Sequence, residues 1–153
     1  MKKEIKINNI TIGGEKIVLI AGPCAIENED MALETAEKLA NITSKLNIPY
    51  IFKGSYDKAN RLSINSGRGL GFPRGLGVLR KIRETFNIPV LTDVHETYQV
   101  EAVASVVDII QIPAFLCRQT DLVLAAASTG KPINIKKGQF MACLLYTSPS
   151  PRD

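Results

Sequence analysis

The sequence lacks any apolar run approaching the roughly 20 residues that a membrane helix requires, so no membrane span is expected. Its opening residues, MKKEIKINNITIGGEK, alternate polar with apolar and hold no apolar stretch of a secretory signal, which points to a cytoplasmic protein. Cysteine is scarce. Cys24, Cys117 and Cys143 are odd in number, far apart and without a CxxC pair, which argues against a disulfide framework or a zinc knuckle and for reduced thiols. Aromatic residues are few, four Tyr and five Phe, and fall in no stacking pattern. The Lys and Arg residues are scattered rather than massed on one helix or tail, so nucleic acid is not the expected partner.

What is present is ordinary for a globular domain: 153 residues, 45% hydrophobic and 22% charged. The length suits one domain with a sizeable core. A net charge of +4 suits nucleic acid, an acidic membrane surface or anionic small substrates, and the absences above favour the last.

Apolar runs alternate between two periods. Lys16–Ala21, Pro49–Phe52, Pro89–Asp93, Val107–Ile112 and Pro132–Ile135 are short and apolar and read as strands. Between them, Met31–Leu46, Val78–Phe86, Glu96–Val107 and Asp121–Ser128 carry helical spacing, with Asp30 placed to cap the first. Strand and helix in alternation mean βαβ units and a parallel sheet, an α/β fold of the TIM (β/α)8 barrel kind with about five of its units. Ahead of them, Ile5–Ile7 and Thr11–Ile17 flank Asn8-Asn9 and Gly13-Gly14 and read as a small hairpin plugging the bottom of the barrel. The expected division is a hairpin over residues 1–15, a partial barrel over 16–142 and a tail over 143–153. Either the sheet is open or the chain is a fragment of a closed barrel.

Polar groups recur at the strands' C-terminal ends: Cys24, Lys53, Asp93 with His95, Gln111 and Lys136. In a parallel barrel these ends share one face, where loops build the site. The stretch Lys53-Gly-Ser-Tyr-Asp57-Lys58-Ala-Asn60-Arg61 adds cations separated by small residues, a pattern suited to phosphate and carboxylate. Its plainer reading is a solvated basic loop.

KGSYDKANR, LTDVHE at Leu91–Glu96, IQIPAFLCRQTDL at Ile110–Leu122 and INIKKGQF at Ile133–Phe140 together resemble the 3-deoxy-D-manno-octulosonate 8-phosphate synthases. The resemblance runs from about residue 16 to Met141. It implies a transferase that condenses phosphoenolpyruvate with arabinose 5-phosphate and water, releasing phosphate, in the making of a lipopolysaccharide precursor. By the same resemblance Lys58, Lys136 and Gln111 contact phosphoenolpyruvate, with Lys53 close by and the backbone around Ala114 near its phosphate. Asn60 and Arg61 hold the sugar phosphate, and Arg118 reaches it from a neighbouring subunit of a homotetramer. Ser55 and Phe115 count among the substrate-binding residues, while Asp93 and His95 join Lys58 and Lys136 as catalytic groups. The related heptulosonate-phosphate synthases, which take erythrose 4-phosphate, carry KPRT-like residues where this chain has Lys58-Ala59-Asn60-Arg61. A non-catalytic phosphate-binding half-barrel is the alternative from another class.

Gly22-Pro23-Cys24-Ala25-Ile26-Glu27 bears on a metal. In the family, Cys here marks the metal-dependent branch, and a thiolate suits Fe, Zn or Mn as a divalent ion. Without the family, a small buried hydrophobe is the plainer reading of Cys24. The family's other ligands (a His, a Glu and an Asp) fall in later strands, and no organic cofactor is implied. Cys117, beside Arg118, is expected to pack. Leu62 stands where the family has Ser or Thr. Gly67–Gly77 reads either as a substrate-covering loop or as a plain connector. Beyond Ala142 the sequence leaves the family pattern, and the 143–153 segment reads as foreign to the fold and the chain as a truncated, inactive form.

Overall fold

A computed structural model describes residues 4–141 of the chain. The expected tail over 143–153, Cys143 included, lies outside the described residues. The N-terminal hairpin pairs β1 (Ile5–Ile7) with β2 (Ile10–Ile12), antiparallel across Asn8-Asn9. Asn8 takes a left-handed conformation (φ 51°), which the tight reversal requires. The second strand stops at Ile12 rather than Ile17, because Gly13 turns the chain with φ 88°.

Five parallel strands follow in chain order, β3 (Leu19–Ala21), β4 (Tyr50–Lys53), β5 (Val90–Asp93), β6 (Ile109–Ile112) and β7 (Ile133–Ile135). The helices between them are α1 (Glu29–Lys45), α2 (Arg74–Phe86), α3 (Val100–Ala104) and α4 (Thr120–Ser128). This is the expected partial barrel, five neighbouring staves with their helices outside.

Alternation along the strands separates two cores. Tyr50, Phe52, Val90, Ile110 and Ile112 face the helices and bury there with Leu79, Ile82, Val103 and Leu122. Ile51, Leu91 and Ile109 face the other way and meet Ile7 and Ile10 of the hairpin, which seals the N-terminal end of the cup. Two residues further along the same strands and on the same side stand Lys53, Asp93 and Gln111. The apolar floor and the polar mouth are thus successive inward positions of the same strands.

Boundaries moved where side chains compete for backbone groups. α1 begins at Glu29, capped by Asn28, whose Oδ1 accepts the Met31 N–H at 2.8 Å; Asp30 lies inside the first turn instead of capping it. The helix expected over Glu96–Val107 is a 3-10 turn (Thr97–Gln99) and the short α3. It ends early because Asp108 is buried against the start of β5, accepting the Val90 N–H at 3.0 Å and lying 3.3 Å from the Arg83 Nε. α1 and α2 both run into Asn-Ile-Pro, with Asn47 (φ 53°) and Asn87 (φ 51°) left-handed before the next strand.

Candidate active site

A cavity of about 410 Å³ opens at the C-terminal ends of the strands. Lys53, Ser55, Lys58, Asn60, Asp93, His95, Gln111, Ala114, Phe115 and Lys136 all line it, so ten of the expected residues from four loops meet in one place. Asp57, Ala59, Glu96, Pro113, Leu116 and Gln139 line it too. These were missed individually, although each belongs to a motif already singled out.

The floor of the cavity is one hydrogen-bonded chain. Lys53 Nζ donates to Ser55 Oγ at 2.6 Å, and Ser55 Oγ donates to Asp93 Oδ1. His95 Nε2 lies 3.0 Å from Asp93 Oδ2. Burial alone would raise the Asp93 carboxyl, but hydrogen bonds from His95 and Ser55, with the charge of Lys53, hold it below the usual carboxylate value. Burial pulls the Lys53 ammonium below its ordinary value, against the restoring charge of Asp93. Beside them Gln111 is buried and its Oε1 accepts from Asn134 Nδ2 at 2.9 Å, so its own amide N–H groups are the part left for a ligand. Lys136 lies two residues beyond Asn134 and lines the same cavity.

Cys24 reaches this neighbourhood because Gly22 lets the chain leave β3 against the next stave. A Cβ at Gly22, where φ is 157°, would collide with the Lys53 carbonyl oxygen. Cys24 is exposed, which removes its plainer reading as a small buried hydrophobe. A hydrogen bond with Lys58 draws its thiol below the ordinary value, with the charges of Lys58, Lys53 and Arg61 assisting against a little desolvation. Among the described residues no three His, Cys, Asp or Glu side chains stand close enough to hold a metal ion, so these residues alone do not make a metal site.

Two expected anion contacts are not in the cavity wall. Arg61 is exposed and meets the site only through its charge at the Cys24 rim, and Arg118 is exposed on the turn before α4. The connector between Arg61 and α2 is tied by Arg68, which grips Asp57 with two hydrogen bonds of 2.8 and 2.5 Å. Leu62 is fully exposed. Cys117 is half-buried, its Sγ 3.9 Å from Met141 Sδ, in keeping with packing.

A larger cavity, about 740 Å³, lies at the opposite end between the hairpin and the ends of α1 and α2. None of the expected residues lines it, and its one lysine, Lys16, is engaged by Asn47 Oδ1 at 3.3 Å. Convergent cations beside a carboxylate with a held-down pKa mark the smaller cavity as the site.

The chain matches the family model described as the DAHP synthetase I family over residues 2–147. It is 62% identical over 143 residues to a 2-dehydro-3-deoxyphosphooctonate aldolase of Rickettsia typhi, covering 93% of this chain and 52% of that protein. Proteins of the same name from Geotalea uraniireducens (58% over 143 residues, 93% and 53%) and Koribacter versatilis (55% over 142 residues, 93% and 51%) are similar. The chain spans about half the length of the curated relatives it matches.

Proposed function

The chain belongs to the DAHP synthetase I family, and from that premise we propose that it is the phosphoenolpyruvate-gripping half of a 3-deoxy-D-manno-octulosonate 8-phosphate synthase. The observation that carries this reading is the convergence of Lys53, Lys58, Lys136 and the Gln111 amide on one cavity beside Asp93 and His95. Phosphoenolpyruvate brings a carboxylate and a phosphate, and charge-assisted donors fixed on separate strands suit both. The matched relatives carry the octonate name, which supports arabinose 5-phosphate over erythrose 4-phosphate as the second substrate.

In the proposed reaction C3 of phosphoenolpyruvate bonds to the aldehyde carbon of the sugar, water adds to C2, and phosphate leaves. Lys58, Lys136 and Gln111 would hold the carboxylate and phosphate, and their fixed charge would offset the negative charge that moves during addition. The backbone of Ala114 and Phe115 would sit at the phosphate. Asn60, with Arg61 and Arg118 from the rim, would hold the sugar phosphate, Arg118 across a subunit boundary of a homotetramer. Asp93 and His95, locked by Ser55 and Lys53, would orient the aldehyde and its hydroxyls. Cys24 is proposed as one ligand of a divalent ion (Fe, Zn or Mn), which would supply Lewis acidity when bound; the described residues do not by themselves gather three such ligands.

The test is turnover by a version of the chain extended to the length of its relatives, with phosphoenolpyruvate and either sugar phosphate. Preference for arabinose 5-phosphate is expected. Preference for erythrose 4-phosphate would overturn the substrate assignment. Titrating the 153-residue chain with phosphoenolpyruvate separately tests the half-site, and no binding would remove its basis.

A further inference from the structure

We infer that Gln99 is a positioning residue for His95, holding the loop after β5 through Tyr56 so that the imidazole faces Asp93 in the cavity. His95 stands on a loop, and a loop side chain adopts one geometry only if something outside it fixes it. Its single side-chain hydrogen bond runs from Nε2 to Asp93, while the buried Nδ1 has no partner among the described residues. One bond leaves the ring free to pivot about it. The remaining constraint comes from Tyr56, whose ring meets the imidazole edge-on with centroids 5.7 Å apart and planes at 88°.

The backbone under His95 is fixed from the same quarter. Gln99 Oε1 accepts the N–H of His95 and that of Glu96, both at 3.2 Å, and the Tyr56 O–H at 2.7 Å. Capping the 3-10 turn requires only the Glu96 contact. Tyr56 comes from the Lys53–Arg61 loop, so the shared oxygen fastens two of the cavity's loops together. Tyr56 is itself immobile: it is fully buried, leans on Phe72 with centroids 5.7 Å apart, and is approached by α2 at Gly75, where a Cβ would fall 2.5 Å from its own Cβ. Neither Gln99 nor Tyr56 lines the cavity, so both act through His95. The inference leans on the proposed function for what the cavity does, and on the geometry alone for how His95 is held.

His95 is the chain's only histidine, so a long-range ¹⁵N–¹H spectrum of the 153-residue protein reads this one ring without ambiguity. One set of imidazole signals is expected for the unaltered protein. Tyr56→Phe keeps the ring contact and removes the O–H; Gln99→Met removes the acceptor. In both, the ring signals should double or broaden, and exchange of the Nε2 proton should quicken about tenfold. Gln99→Glu, which retains an acceptor oxygen, should restore the single set. Backbone amide spectra confirm folding, and if Gln99→Met does not fold, Tyr56→Phe decides. Unchanged ring signals in folded Tyr56→Phe, or a Gln99→Glu ring as disordered as that of Gln99→Met, overturn the inference. The phosphoenolpyruvate titration of the unaltered chain tests the function reading independently, since its failure leaves the ring result standing.

Discussion

At the scale of residues, the cavity is a contest between burial and charge. Asp93 shows how it resolves. Its carboxyl is held below the usual value near 3.8, so the carboxylate form is favoured by folding. The stability it contributes is present above the unfolded value and is lost as pH falls through the lower folded value. Asp93→Asn should flatten the acid limb of stability below about pH 4, measured by denaturant unfolding, and lower stability at pH 7 by on the order of 1–3 kcal/mol through the broken bonds to Ser55 and His95. A steeper acid limb in the variant would contradict this. Lys58 lines the cavity and also stands beside the Cys24 thiol. Lys58→Ala should weaken phosphoenolpyruvate binding by roughly ten- to a hundredfold in calorimetry, as should Lys136→Ala. Only Lys58→Ala should also slow iodoacetamide alkylation of Cys24 near pH 7.5, about threefold or more, because it removes the hydrogen bond that draws the thiol down. These lysines were legible because anion chemistry demands them near strand ends. Tyr56, Gln99 and Asn134 were not, since they act through other side chains and carry no pattern of charge or spacing.

At the scale of elements, what could be read in the sequence was the alternation of periods, because burial enforces it. Ile51 with Lys53, Leu91 with Asp93 and Ile109 with Gln111 record floor and mouth two residues apart. The ends of elements were harder to read. Asn28 and Asp30 are both plausible caps by type, and only the path of the chain selects Asn28. Asn28→Ala should therefore lower stability by about 1 kcal/mol in urea unfolding, whereas Asp30→Ala should change it far less. Equal losses would mean the cap is shared. The shortened α3 has the same origin: Asp108 answers to Val90 and Arg83, distant in sequence, and no local propensity registers that demand.

At the scale of the whole molecule, the sheet has ends. Among the described residues β3 and β7 are the outer strands, each hydrogen-bonded on one side only. Parallel strands are ordinarily covered on both faces and continued on both edges, and here Ile17 is 84% exposed, Ile20 41% and Ile135 37%. Ile20 lies in register with Ile51 and belongs by alternation to the cup's interior, so its exposure marks where the wall stops rather than a surface position. Apolar side chains beside unpaired backbone groups bind further strands, from whatever chain offers them. The 153-residue protein should consequently self-associate as its concentration rises toward about 100 μM, with a weight-average mass in sedimentation well above the 16.7 kDa of one chain. Ile20→Lys places a charge on that edge and should return the mass toward one chain, with phosphoenolpyruvate binding retained because Ile20 lies outside the cavity wall. An extended chain whose added βα units close the barrel would cover both edges and bury Ile20; there the same substitution should unfold the protein instead of dispersing it. A 153-residue chain that stays monomeric at that concentration would show that the edges are already covered, and the half-open cup would have to be abandoned.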